Sequence, residues 1–292
     1  MFLLIGGNSE IGAATARHMR GQGQGVLTTT RRARDLGEDE LFLDLALLHD
    51  NWRPSEGVKA ACIFAAIGRL AACEADWAGS NRVNVTQTLA LARKLIASGV
   101  YTLFLSSDKV FDGTRPQVPA DAPPSPISAY GRQKAATESV FKTWIGEGAP
   151  AGILRLAKVV STDMALIHGW RRQLAMGERI RPFRDMRMAP TPTALVAKAI
   201  GRLIEDRQPV TAQLSGPQDI SYAEAARFIA EEMGANPHLV EEASALDNGM
   251  PASAIPLHTT LESGYLASRY DVVAPGPWIV LRTILESRAL SL

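Results

Sequence analysis

At 292 residues the chain is long for one hydrophobic core and short for three, which predicts one α/β domain with a smaller part appended. Lys plus Arg total 31 against 30 Asp plus Glu, so no bulk charge favours nucleic acid or an acidic surface, and a small-molecule partner is expected. Cys62 and Cys73 cannot build a disulfide framework, MFLLIGGNSEIG has neither the basic nor the apolar part of a signal peptide, and no stretch approaches the about 20 apolar residues of a membrane span. A soluble, cytoplasmic protein that meets neither membrane nor nucleic acid is expected.

The chain begins with an apolar run, Phe2 to Ile5, then a glycine loop from Gly6 to Gly12, then a helix over Ile11 to Met19 marked by Ala13, Ala14 and Ala16. Strand, glycine loop and helix open a Rossmann unit, where the backbone approaches a pyrophosphate whose charge rests on the helix N-terminus. The loop reads Gly6, Ser9, Gly12, with Ser9 where a middle glycine is commonest, and Asn8, Glu10 and Ile11 complete the stretch expected along a dinucleotide. Taken alone, the same glycines also fit an ordinary tight turn.

Gly25 to Thr30 is the second predicted strand, followed by Arg31 and Arg32 and by no carboxylate. An Arg there accommodates a 2′-phosphate where an acid would bond the ribose 2′-hydroxyl, so NADP(H) is favoured over NAD(H); the alternative is a pair of solvated arginines at a turn. Leu41 to Leu45 is a brief strand whose Asp44 either reaches an adenine amino group or is solvated, with Leu45 beside it. Ala61 to Ile67 reads as a buried parallel strand, its small Ala65 and Ala66 letting a cofactor lie close and its Cys62 packing in the core.

Trp77 to Ser98 carries apolar residues at helical spacing and is closed by Gly99. Val100 to Ser106 is the next parallel strand, and its carboxyl end brings Ser106 and Ser107 to the crevice where open α/β sheets bind ligands. Five prolines between Phe111 and Ser128 exclude helix and predict a long loop, read as a substrate-side lid. Ser128 then caps a helix from Ala129 to Trp144, and a spacing of four puts Tyr130 and Lys134 on one face of it.

Gly152 to Val160 is a further buried strand. The basic run of Arg171, Arg172, Arg179, Arg181, Arg184 and Arg187 around Trp170 either binds a diphosphate through paired guanidinium hydrogen bonds or forms a solvated helix face and loop. Thr193 to Glu205 is an amphipathic helix, Thr211 to Leu214 a short strand, and Ser221 to Met233 a helix opened by the capping box of Ser221 and Glu224. Loop-rich chain follows until a last helix over about Trp278 to Ser287. The five histidines show no metal-ligand spacing, and no metal is expected.

In order and spacing these motifs resemble the extended short-chain dehydrogenase/reductase superfamily, and within it the dTDP-4-dehydrorhamnose reductase family. The matching residues are Ser106-Ser107-Asp108, Val110-Phe111-Asp112-Gly113, Tyr130-Gly131-Arg132-Gln133-Lys134, Asp185 ahead of Ala189-Pro190-Thr191, and Leu214-Ser215-Gly216. The resemblance implies a Rossmann-type doubly wound parallel sheet with a smaller C-terminal α/β substrate-binding domain. Residues 1–160, with a return segment at about 189–215, are expected to hold NADP(H), and residues 161–188 and 216–292 to hold the substrate.

The activity implied is NAD(P)H-dependent reduction of a carbonyl on a nucleotide-activated sugar. Ser107 holds the reacting oxygen, Tyr130 protonates it, and Lys134 binds the nicotinamide ribose and lowers the pKa of the tyrosine. Asp108, Lys109, Lys158, Arg184 and Arg187 are expected on the substrate side. Lys109 stands where the rhamnose-pathway reductases usually carry Tyr, and Lys158 where they usually carry an aromatic residue. Two other readings stay open: a sugar-nucleotide epimerase or 4,6-dehydratase with a recycled cofactor, whose acid and base the Asp108-Lys109 pair resembles, and a non-catalytic NADP-binding regulatory subunit like the partner of methionine adenosyltransferase. The family resemblance admits a homodimer.

Overall fold

The structure, a computed structural model, describes residues 1–287. Its strands in chain order are β1 (Phe2–Ile5), β2 (Val26–Thr30), β3 (Glu40–Phe42), β4 (Ala60–Ile63), β5 (Tyr101–Ser107), β6 (Ala151–Leu156), β7 (Val159–Val160), β8 (Arg187–Met188), β9 (Thr191–Pro192), β10 (Val210–Leu214) and β11 (Ile220–Ser221). Seven of them form one sheet in the order β10-β6-β5-β4-β1-β2-β3, with every pairing parallel. The chain winds from β1 toward β3 on one side and from β4 toward β10 on the other. The order therefore reverses between β1 and β4, and a crevice opens beyond the carboxyl ends of the strands there.

The helices are α1 (Glu10–Gly21), α2 (Leu70–Ala75), α3 (Trp77–Asn81), α4 (Thr88–Ala97), α5 (Ala129–Gly146), α6 (Ala165–Ala175), α7 (Thr193–Asp206), α8 (Tyr222–Glu232), α9 (Gly264–Tyr270) and α10 (Pro277–Glu286). Parallel strands covered on both faces read as continuous apolar runs, and alternation then sends neighbours to opposite sides. Leu4, Leu103, Leu105 and Leu154 meet Met19 of α1 and Val196, Ile200 and Leu203 of α7. Leu3, Ile5, Phe104 and Ile153 meet Leu91 and Leu95 of α4 and Phe141 of α5. A third cluster joins Ile167 and Trp170 of α6, Ile229 of α8, and Val280 and Leu281 of α10. Among the described residues no helix is long and apolar enough to cross a membrane.

Several elements differ from the sequence reading. The strand expected over 61–67 stops at Ile63, because the amides of Phe64 and Ala65 both turn to the Ile5 carbonyl, at 2.8 and 3.1 Å. The helix expected over 77–98 contains a π turn at Arg82–Gln87, and the strand over 152–160 divides between β6 and β7. Helices α2 and α9 were not expected; α6 takes up the helix-face alternative for Arg171 and Arg172, with Ile167, Trp170 and Leu174 as its buried stripe at helical spacing.

The proline-rich loop is anchored. Val110, Phe111, Val118 and Ala122 pack with Leu261, the Glu262 amide donates to the Val118 carbonyl at 3.1 Å, and the His258 amide donates to the Gly113 carbonyl at 2.9 Å. Beneath the loop, the fully buried Arg155 donates Nη2 to Glu138 Oε2 at 2.7 Å and Nε to Glu138 Oε1 at 2.9 Å. Its Nη1 reaches the Ala120 carbonyl and Gln213 Oε1, each at 3.0 Å, and Gln213 Nε2 donates to the Val118 carbonyl at 2.8 Å.

Candidate functional site

The crevice is a groove over the glycine loop. Gly6 has φ +80°, and a Cβ there would come within 2.9 Å of the Ala65 amide nitrogen, so a side chain is excluded by conformation and by space. Its amide donates to Thr29 Oγ1 at 2.9 Å, and Asn8 Nδ2 donates to Thr30 Oγ1 at 3.2 Å, which ties the loop to the end of β2. Ser9 has φ −70° and needs no glycine; its Oγ accepts from the Gly12 amide at 3.2 Å and caps α1.

Two cavities make up the groove. One, of about 450 Å³, is lined by Gly6, Asn8, Arg31, Asp44, Leu45 and Ala65. The other, of about 340 Å³, is lined by Glu10, Ile11, Ser106, Ser107, Tyr130 and Lys134. Ser9, Phe64 and Ala66 line both, so the two cavities adjoin across the loop. Asp44 caps a short 3₁₀ turn by accepting from the Ala46 amide at 2.9 Å and still faces the groove. Arg32 lies outside it, exposed, its amide held by Thr30 Oγ1 at 3.2 Å.

At the second cavity the carboxyl end of β5 meets the first turn of α5. Ser128 Oγ accepts from the Gly131 amide at 3.1 Å, and a Cβ at Gly131 would overlap the Lys109 carbonyl, so Tyr130 is set by direct backbone contact with the turn after β5. Lys134 is 4% exposed; its Nζ donates to the Leu105 carbonyl at 2.7 Å and stands 4.5 Å from the Phe104 ring centre and 5.6 Å from that of Tyr130. Burial pushes the Lys134 ammonium down to about 8, opposed by the Glu138 charge. Tyr130 shows the reverse of the lowering expected from Lys134: burial pushes its phenol well above the ordinary tyrosine value, and the Asp108 charge pushes it further. The tyrosine holds its proton firmly.

Ser107 donates to Asp108 Oδ1 at 2.8 Å and accepts from the Lys109 amide at 3.2 Å, while Lys109 Nζ bonds Asp108 Oδ2 at 3.0 Å. Asp108 and Lys109 line a narrow crevice with His258, whose Nδ1 lies 3.2 Å from Asp219. The remaining expected residues lie outside the groove walls. Lys158 is exposed between Ala157 and Val159, which do line the groove; Arg184 is exposed with Asp247 at 3.6 Å; Arg187 is exposed on β8.

The sequence model of the family described as RmlD substrate binding domain matches residues 1–278. The chain belongs to this family. A dTDP-4-dehydrorhamnose reductase of Burkholderia thailandensis is 30% identical over 197 residues, covering 60% of this chain and 63% of that protein. Methionine adenosyltransferase 2 subunit beta of Rattus norvegicus is 31% identical over 129 residues, covering 43% of this chain and 36% of that protein. The match thus spans less than two thirds of the length of these curated relatives. Among solved structures, MoeE5 in complex with UDP-glucose and NAD superposes with TM-score 0.80 at 23% identity, covering 99% of each chain. A dTDP-4-dehydrorhamnose reductase of Bacillus anthracis in complex with NADP gives TM-score 0.80 at 19% identity, covering 98% of each. These two likenesses are of fold.

In this member of the RmlD family, several groove residues carry no sequence motif of their own. Phe64 is one, and its apolar run suggested only a strand. Behind the groove wall the buried Asn84 accepts from the Ile67 amide at 2.8 Å, and its Nδ2 donates to the Ile67 carbonyl at 3.0 Å and to Gln133 Oε1 at 2.7 Å. Gln133 passes on to Ser80 Oγ at 2.7 Å, so α5 is tied to the end of β4 behind Lys134. The π turn at 82–87 displaces the Asn84 carbonyl to where Thr137 Oγ1 donates to it at 3.1 Å.

Proposed function

We propose that this protein is an NADP(H)-dependent reductase of a carbonyl group on a nucleotide-activated sugar. The observation that carries the reading is the meeting of Ser107, Tyr130 and Lys134 at one end of a groove whose other end is lined by Arg31 and Asp44. The groove suits a dinucleotide: the glycine loop lies against the first cavity, and that cavity shares Ser9, Phe64 and Ala66 with the one that holds Tyr130 and Lys134. Bound NADPH supplies the hydride. Tyr130, which keeps its proton, donates it to the carbonyl oxygen. Ser107 turns its hydroxyl from Asp108 to the same oxygen and holds it in line. Lys134 leaves the Leu105 carbonyl for the ribose hydroxyls.

Arg31 on the wall of the first cavity, with no acid at the end of β2, supports NADP(H) over NAD(H). Residues 1–160 with the return at about 189–215 are proposed to hold the cofactor, and 161–188 with 216–292 to present the sugar. The names of the Burkholderia relative and of the NADP-bound Bacillus structure support the substrate class. A dehydratase is the second reading, favoured by the Asp108–Lys109 pair beside Ser107; it would turn over a hexose nucleotide with no added reductant.

The test is NADPH oxidation with dTDP- and UDP-linked 4-ketohexoses. Tyr130→Phe should lower kcat by about 100- to 10,000-fold with NADPH binding retained. Unchanged turnover in that variant would overturn the mechanism.

A further inference from the structure

Among the described residues, two buried side-chain polar atoms have no hydrogen-bond partner in the chain, Gln24 Oε1 and Ser106 Oγ. Gln24 lies beyond the C-terminal end of α1, on the way to β2, and its amide nitrogen is already bonded to Glu205. Ser106 is different in place. It is 5% exposed, one residue from the end of β5, and on the wall of the 340 Å³ cavity with Tyr130 and Lys134.

Three polar neighbours of this hydroxyl are committed elsewhere. Across the ladder Ser106 pairs with Arg155, whose guanidinium is spent on Glu138, Ala120 and Gln213. Lys134 Nζ donates to the Leu105 carbonyl, and the Ser107 hydroxyl donates to Asp108. Strand alternation puts Ser106 on the face of Phe104, over whose ring the Lys134 ammonium lies, and puts Ser107 on the other. Hydroxyl and ammonium thus border the same side of the cleft. A hydroxyl kept buried and unpaired is destabilising, and it persists where a ligand completes it.

We infer that Ser106 is a binding residue for the nicotinamide riboside half of the dinucleotide, its hydroxyl bonded either by a ribose hydroxyl or by the carboxamide. The inference rests on the proposed cofactor and adds a contact that neither the glycine loop nor the Tyr130–Lys134 pair supplies. Ser107, not Ser106, is the serine directed at a substrate oxygen.

Ser106→Ala removes the oxygen alone. Dissociation constants are measured for NADPH, for 2′-phospho-ADP-ribose, which lacks nicotinamide, and for 2′,5′-ADP, which lacks the whole nicotinamide riboside; the ligand-free melting temperature is measured beside them. NADPH is expected to bind about tenfold more weakly, with 2′,5′-ADP unchanged and the ligand-free melting temperature equal or higher, since an unpaired buried group has been removed. Loss shared with 2′-phospho-ADP-ribose assigns the bond to the ribose, and loss confined to NADPH assigns it to the carboxamide. Unchanged NADPH binding, equal weakening of 2′,5′-ADP, or a lowered ligand-free melting temperature overturns the inference. Should Ser106→Ala not yield folded protein, Ser106→Cys, of similar volume and weaker hydrogen bonding, carries the same comparison. If the native protein binds none of the three ligands, the proposed function falls; if it binds them and the variant binds equally, this inference alone falls.

Discussion

The two sides of the groove are built by opposite means. On the glycine-loop side, from Gly6 to Gly12 and across to the end of β2, the fittings are backbone amides and threonine hydroxyls, and the ionisable groups there, Glu10, Arg31 and Arg32, are exposed. On the β5–α5 side three charged side chains, Lys134, Glu138 and Arg155, are each 4% exposed or less. Backbone dipoles approach a ligand cheaply, whereas buried charges persist only where each has partners. Away from its glycines, the first side should therefore tolerate side-chain change at the cost of ligand affinity alone, and the second should fail as a unit.

Breaking the charged side should give the largest effect. Glu138→Gln leaves the Arg155 guanidinium buried without its carboxylate, and urea unfolding should show a loss of about 3–5 kcal/mol. A smaller effect is readable from pH. Burial pushes Lys134 down to about 8, against an ordinary 10.5. Between these values the unfolded chain binds more protons than the folded one, so stability rises with pH across that window. Relative to Lys134→Met, the ligand-free native protein should gain about 2 kcal/mol from about pH 8 to about pH 10. The smallest effect belongs to the loop side. Arg31→Ala should change stability by no more than about 0.5 kcal/mol while weakening NADPH about fivefold and leaving NADH unchanged. Comparable destabilisation by Arg31→Ala and Glu138→Gln would erase the contrast between the two sides.

The same contrast governs what was legible in the chain beforehand. Gly6, Ser9 and Gly12 specify a turn within seven residues, and Ser128 caps the helix that carries Tyr130 and Lys134 one turn apart, so both features are local in sequence. Arg155 finds its partners 17, 35 and 58 residues away, at spacings set by the sheet order and not by any local period. The proline-rich loop had no pattern announcing that Leu261 would close over Val118. The basic run was legible as a helix face only as one of two readings, since its arginines fit a diphosphate site as well as a surface, whereas Ile167, Trp170 and Leu174 bury their stripe against partners distant in sequence. The π turn at Arg82–Gln87 has no compositional mark at all.

The wiring of Arg155 also bears on how the chain is assembled. A nascent chain that has just emitted β6 already holds the glycine loop, Ser107, Tyr130 and Lys134, yet Arg155 then lacks Gln213, and the segment around Val118 lacks the Glu262 amide that secures it. Helix α1 stays uncovered by α7 until that later helix arrives to pack against Met19. The groove's motifs are thus made before the segments that fasten them, and a truncation after β6 would carry the recognisable motifs without the means to hold them in place.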